Sequence, residues 1–236
     1  MKLAKYKHTS ETSYALGATL VAELLKTHPE LITRVFLRPT EKRGDDLNQI
    51  IAILEKRHIE IIESTKAFNI LGAKDNCLLA AEFKKPNQSQ TGSARIILVY
   101  PSDAGNLGTI MRSAAAFGYD NLTIVTPAVD PYDPKVIRAS LGAVFHLNVT
   151  QINNYDNLNL EAPSYAFLLN PDAVAFESLA KTDAKPTLIF GNEAAGLPDD
   201  FVAKTGATPV YINQSKNVDS LNLAVAASIA MHYFAN

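Results

Sequence analysis

One stretch of the chain, Ile96 to Gly118, reads IILVYPSDAGNLGTIMRSAAAFG and constrains the fold more than any other. An unbroken apolar run, Ile96 to Tyr100, passes into a polar, glycine-bearing loop, Pro101 to Gly108. An alanine-rich stretch, Thr109 to Phe117, follows and stops at Gly118. The run is too short for a helix and is bounded as a buried strand is, while the alanine-rich stretch has high helix propensity and a glycine stop. Strand, loop and helix are therefore predicted. In an open α/β sheet, ligands bind in the crevice beyond the carboxyl ends of the strands. Arg112 is the one charge on this otherwise small and apolar helix, six residues after Asn106. That placement marks it as a site residue rather than a solubilising one.

Four more short apolar runs follow: Leu122–Val125, Tyr165–Leu169, Thr187–Phe190 and Pro209–Ile212. Helical candidates lie between most of them, and the chain closes with a predicted helix, Leu221–Phe234. Runs of this purity read as parallel strands buried on both faces, and their alternation with helices predicts an α/β parallel sheet covered on both sides. The Asn-rich stretch Gln151–Ala162 reads as an exposed loop. Upstream, Leu16, Leu20, Val21, Leu24 and Leu25 mark one helix face, and Leu47, Ile50, Ile51 and Leu54 mark a second. Thr33–Leu37, Ile59–Ile62 and Leu78–Phe83 read as strands. These make a small α/β domain over residues 1–85. Pro86–Ser93, PNQSQTGS, holds no apolar residue and has linker composition. The linker is set at 86–95 and the second domain at 96–236.

Charge is uneven along the chain. Residues 1–95 carry 15 Lys and Arg against 11 Asp and Glu, whereas residues 96–236 carry 7 against 13. A polyanion is thus expected to meet the N-terminal part. No strongly basic tract exists, so tight non-specific nucleic-acid binding is not expected. No apolar run approaches the roughly 20 residues that cross a bilayer, so no membrane partner is expected, and the first residues lack the apolar core of a signal peptide. The single cysteine, Cys77, reads as a buried thiol in a strand. A cytoplasmic location follows as an expectation. His8, His28 and His58 are scattered without metal-ligand spacing, so no metal is expected.

Three polar loops adjoin predicted strands of the second domain: SDAGNLGTIMR from Ser102, GNEAAGLPDD from Gly191, and INQSKNVDSLN from Ile212. The first is neither a G-x-G-x-x-G nor a Walker A loop, which sets aside a nucleotide-dependent oxidoreductase. Each loop also has a structural reading. Asn106 and Ser220 suit helix N-caps, Gly191 and Gly196 suit a tight turn, and Arg112 suits a surface ion pair. Taken together, three loops converging on one side of one sheet favour a site.

The second domain resembles the SpoU/TrmH family of RNA ribose 2′-O-methyltransferases, within the SPOUT superfamily. A D-x-x-N-x-G-x-x-x-R pattern stands as Asp103, Asn106, Gly108 and Arg112, closed by Phe117-Gly118. An R-A-S-x-G-A segment stands as Arg138 to Ala143. G-N-E-x-x-G-L is Gly191-Asn192-Glu193 through Gly196-Leu197, and a strand-end Ile followed by S-L-N is Ile212 with Ser220-Leu221-Asn222. The small first domain is similar to the RNA substrate-binding domains of that family.

The resemblance implies a deep C-terminal trefoil knot that binds S-adenosylmethionine, with Gly191, Asn192, Gly196, Ile212 and Leu221 at the cofactor. It implies an in-line attack of a ribose 2′-oxygen on the sulfonium methyl, with Arg112, Asn106, Glu193, Ser220 and Asn222 as the catalytic set. For Arg112 two roles stand, general base or clamp on an RNA phosphate, and the high guanidinium pKa favours the clamp. For Arg138 a phosphate contact and a structural ion pair both stand. A homodimer built on the final helix is expected, as is an RNA partner (rRNA rather than tRNA) and no DNA partner. The alternatives are a tRNA 2′-O-methyltransferase and an RNA-binding relative that modifies nothing. One departure bears on that choice: the family has Ile-Pro at the third strand end and a glycine before S-L-N, whereas here Asn213 follows Ile212 and Lys216-Asn217 occupy the glycine's place.

Overall fold

The computed structural model describes residues 3–40, 43–87, 96–156, 158, 160, 163–170, 173–181 and 184–235. Of the predicted linker at 86–95, only Pro86 and Asn87 lie among the described residues, and 157, 159, 161 and 162 of the predicted loop at 151–162 lie outside them. In chain order the first elements are β1 (Thr12–Leu16), α1 (Ala18–Thr27), β2 (Ile32–Leu37), α2 (Asp45–Lys56), β3 (Ile61–Glu63), α3 (Thr65–Leu71) and β4 (Leu79–Lys84). There follow β5 (Ile96–Val99), α4 (Ala104–Ala116), β6 (Asn121–Val125), α5 (Pro134–Ala139), β7 (Asn148–Ile152) and β8 (Ser164–Phe167). The last are β9 (Val174–Ala175), β10 (Thr187–Phe190), α6 (Phe201–Thr205), β11 (Thr208–Tyr211) and α7 (Leu223–Tyr233). The chain parts into two compact units, Met1–Asn87 with Asp130–Phe145, and Gln88–Val129 with His146–Asn236.

The first unit is built on a four-stranded sheet in the order β1-β4-β2-β3. Here β4 runs antiparallel to β1 and β2, and β3 runs parallel to β2. Leu20, Val21, Leu24 and Leu25 of α1 are buried, as are Leu47, Ile50 and Leu54 of α2. Leu16 ends β1 instead of opening α1, because Gly17 at φ +112° turns the chain between them. Cys77 is buried ahead of β4 rather than inside a strand, and burial pushes its thiol pKa up. The segment carrying α5 joins this unit through Asp130. That buried carboxylate accepts from the Tyr6 hydroxyl and pairs with Lys85 Nζ at 2.7 Å. Nearby, Ser13 Oγ donates to the Tyr132 carbonyl.

The second unit holds a seven-stranded sheet in the order β7-β6-β5-β10-β8-β11-β9, and every pairing is parallel. All four residues of β5 and of β10 are buried, as the unbroken apolar runs require. The last two residues of β7, Gln151 and Ile152, fall in the stretch read from sequence as a loop, and the strand itself was not singled out. It is an edge strand with half-polar composition, so the apolar run that reveals a central strand is missing. From β5 the chain steps outward to β6 and β7, and the later strand β10 lies on the opposite side of β5. Strand order therefore reverses beside β5. The carboxyl ends of β5 and β10 flank the crevice that such a reversal opens.

Candidate active site

At the end of β5, Tyr100 adopts φ +57°, a left-handed conformation that side chains other than glycine rarely take. It turns the chain sharply into the first loop, and its carbonyl accepts from Asn192 Nδ2 at 2.8 Å. The helix α4 begins at Ala104, five residues earlier than the alanine-rich run suggests. Asp103 is its N-cap, with its carboxylate accepting from the Asn106 backbone N–H at 2.7 Å. The capping reading of Asn106 is thereby corrected. Two good caps stand three residues apart, and Asp103 takes the position, which frees the Asn106 side chain for other partners.

The loop after β10 closes on itself. A Cβ built on Gly191 would stand 2.1 Å from the Gly196 carbonyl carbon and 2.3 Å from the Leu197 nitrogen. Only glycine fits, and the close approach is to the loop's own backbone. Asn192 and Gly196 exchange both backbone hydrogen bonds at 2.9 Å, and Gly196 turns the chain at φ +69°. The Asn192 carbonyl oxygen of the side chain accepts from Ala194 and Ala195 N–H at 2.9 and 3.0 Å. This rigid turn presents Glu193 to the first loop. Its carboxylate accepts from Ser102 N at 3.0 Å, Ser102 Oγ at 2.8 Å, Asp103 N at 3.2 Å and Asn106 Nδ2 at 3.2 Å. Burial alone would raise its pKa. The hydrogen bonds it accepts outweigh that and hold the carboxyl below its ordinary value.

The third loop joins through α7. Asn222, not Ser220, is the N-cap, with Oδ1 accepting from Ala224 N at 2.9 Å and Val225 N at 3.3 Å. The capping reading of Ser220 is corrected accordingly, since α7 begins only at Leu223. The other end of the same amide, Nδ2, donates to Asn106 Oδ1 at 2.9 Å. Asn222, Asn106 and Glu193 thus form one directional chain across three loops, its bonded pairs 116 and 87 residues apart. Ser220 lines the cavity described next. Arg112 is exposed on α4 and forms no ion pair among the described residues. Arg138, on α5, belongs to the first unit and is likewise exposed without an ion pair among the described residues.

Beside this chain lies a cavity of about 400 Å³, within the usual range for a small-molecule site. Gly191, Asn192, Gly196, Ile212, Ser220 and Leu221 line it. Leu168, Leu169 and Gln214 also line it and were not singled out from sequence. Leucine and isoleucine side chains beside a glycine-turn backbone suit a flat apolar group that needs backbone hydrogen bonds. Among the described residues no three His, Cys, Asp or Glu side chains gather as metal ligands. No helix among them is long and apolar enough to cross a membrane.

Residues 93–232 match the SpoU rRNA Methylase family. The chain is 27% identical, over 98% of its length and 92% of the relative's, to the Bacillus subtilis 23S rRNA (guanosine(2553)-2′-O)-methyltransferase RlmP. It is 31% identical, over 56% of its length and 48% of the relative's, to a Streptomyces viridochromogenes 23S rRNA (uridine(2479)-2′-O)-methyltransferase. Among solved structures, the AdoMet-bound rRNA methyltransferase from Sinorhizobium meliloti shares 26% identity and a TM-score of 0.76, covering 95% of this chain and 87% of that one.

Proposed function

Because the chain belongs to the SpoU rRNA methylase family, we propose that it methylates a ribose 2′-hydroxyl of ribosomal RNA with S-adenosylmethionine as donor. The observation that carries this reading is the cavity at the ends of β10 and β11, placed beside the Asn222–Asn106–Glu193 chain. Likeness to RlmP along nearly the whole chain supports ribosomal RNA as the substrate.

The cavity suits the cofactor. Ile212 and Leu221 offer aliphatic surface for the purine, and the backbone of Gly191–Leu197 and of the loop before α7 offers polar groups for its edge. S-adenosylmethionine supplies, when bound, an electrophilic methyl group on a sulfonium that departs readily. The protein then has to place the attacking 2′-hydroxyl and let its proton leave to solvent water, since neither Arg112 nor Glu193 takes it. Arg112 is suited to grip an RNA phosphate beside the reacting ribose and to offset negative charge growing on the 2′-oxygen. Arg112 offers a planar fork of N–H donors and no acceptor, so it serves as a clamp and not as the base. Glu193 is no better a base, since its carboxyl is held below its usual pKa and its lone pairs already have donors. Its role is to hold the first loop, with Asn106 and Asn222, and so to aim α4. Ser220 borders the cavity where cofactor and ribose meet.

The finer parts of the reading follow from it. The C-terminal segment forms the family's trefoil knot, a reading supported by β10 lying between β5 and β8. The protein is a homodimer through α7, which leaves Val225 and Ile229 exposed one turn apart. The first unit, with its excess of basic residues, binds the RNA substrate, and Arg138 adds a phosphate contact there. The protein works in the cytoplasm, where its RNA is.

Labelled methyl transfer to purified rRNA and tRNA in separate reactions tests the proposal. Label is expected in rRNA, at a 2′-oxygen, and is lost in Arg112→Ala. Label confined to tRNA would move the substrate, and no uptake of S-adenosylmethionine up to millimolar concentration would point to a relative that modifies nothing.

A further inference from the structure

Asn213 stands where the family places proline, between two residues that line the cavity, Ile212 and Gln214. Proline would restrain this backbone through its ring and carries no N–H. Here the N–H is present and is used: it donates to Glu177 Oε1 at 3.3 Å. Glu177 sits in the short 3-10 turn Phe176–Ser178, directly after β9. β9 is itself paired with β11 through Val210 with Val174 and Tyr211 with Ala175. The Glu177 contact therefore extends the tether between the two segments two residues past the end of β11.

The turn that carries Glu177 is firmly seated. Phe176 is 2% exposed and packs with ring centroids 5.6 Å from Phe167 and 4.7 Å from Tyr233. Tyr233 in turn donates its hydroxyl to the Leu179 carbonyl at 2.8 Å. Past Asn213, Gln214 Nε2 donates to the Asp219 carbonyl at 3.1 Å. That bond closes the arc in which the family has glycine and this chain has Lys216-Asn217.

We propose that Glu177 is a positioning residue of the cofactor site, whose carboxylate fixes Asn213 and with it the cavity wall formed by Ile212 and Gln214. It supplies from a neighbouring segment the restraint that proline supplies within the loop. The inference rests on the methyltransferase reading.

Calorimetric titration of the whole protein with S-adenosylmethionine tests it without reference to activity. Glu177→Ala is expected to weaken binding about tenfold, the value of one hydrogen bond to a charged acceptor. Glu177→Gln keeps an acceptor oxygen and should stay within about threefold of wild type. The decisive variant is Asn213→Pro, which removes the donor and restores the ring. Glu177→Ala placed on Asn213→Pro should bind as Asn213→Pro alone does, because the restraint no longer passes through residue 177. Wild-type affinity in Glu177→Ala, or a double variant weaker than Asn213→Pro alone, would overturn the assignment. A wild-type chain that takes up no cofactor overturns the methyltransferase reading itself, and that result is distinct from either pattern among the variants.

Discussion

Gly191–Leu197 is held by its own backbone, with a reciprocal pair of hydrogen bonds between Asn192 and Gly196 and no room for even one extra carbon at Gly191. Ile212–Asn222, on the other side of the same cavity, is exposed over most of its length. Between Asn213 and Asn217 it is held by three bonds of 3.1 to 3.3 Å, from Asn213, Gln214 and Asn217. The difference follows what each loop carries. Glu193 has to meet four donors on another segment, which only a fixed turn achieves. On the methyltransferase reading the second loop borders the cofactor, and it is held by fewer and longer bonds than the first. One wall is a template and the other a flap with a tether.

Gly191→Ala strikes the rigid wall and has the largest expected effect. Backbone rather than a side-chain end stands 2.1 Å from the new carbon, so the turn has to shift and Glu193 with it. Overpacking should cost about 1–3 kcal/mol of stability, and the displaced wall should lower cofactor affinity and methyl transfer roughly a hundredfold, about 2.7 kcal/mol of binding. Near-wild-type affinity in calorimetry would show that this turn is as adaptable as its neighbour, and the contrast between them would fail.

Glu193→Gln comes next. The amide puts an NH2 group where donors already point, so at least one contact with Ser102, Asp103 or Asn106 turns repulsive. Losing one such contact costs about 1–3 kcal/mol, and methyl transfer should fall more than cofactor affinity does. The pH dependence has a definite sign. The folded carboxyl titrates below the unfolded one, so its contribution to stability is complete above the unfolded pKa of about 4.3 and is lost as pH falls through the folded value. In urea melts, the advantage of wild type over Glu193→Gln should be full at pH 7 and shrink steadily below pH 4. An advantage unchanged at pH 3 would mean that the carboxylate is not what holds the loops.

Asn222 links its own wall to Asn106, which in turn meets Glu193, and two substitutions separate its duties. Asn222→Ala removes the α7 cap and the bond to Asn106, with a stability loss of about 1 kcal/mol from the cap. Asn222→Asp keeps the cap acceptor but has no hydrogen to give Asn106. It should melt close to wild type while losing methyl transfer several-fold. Equal activity in wild type and Asn222→Asp would show that Asn106 is held well enough by Glu193 alone.

The sequence exposed these walls unequally, for the same physical reason that they differ. β5 and β10 are short apolar runs because both faces are buried, and such runs stand out against any polar flank. Glycines 191 and 196 likewise announce a turn. By contrast β1 merges into the leucine pattern of α1, and β7 is an edge strand whose Asn, Thr and Gln hide it in a polar region. Asp103 and Asn106 are equally good caps on composition, and only the folded loop decides which one turns its side chain toward Glu193. Glu177 had no motif to mark it. Its importance depends on a contact 36 residues away, which residue spacing does not encode. The attachment of Asp130–Phe145 to the first unit was hidden for the same reason, since it rests on Tyr6, Ser13 and Lys85 far upstream.

Lys216→Ala probes the flap where it is least constrained and has the smallest expected effect. Lys216 is exposed and forms no ion pair among the described residues. Its loss should change stability by less than about 0.5 kcal/mol, as surface substitutions do. Cofactor affinity should stay within about twofold, because an exposed side chain without a fixed partner adds little to a binding wall. Calorimetry and a thermal melt measured side by side check both numbers. A loss of affinity as large as that expected for Glu177→Ala would place the Lys216 ammonium on the cofactor and make this arc part of the site.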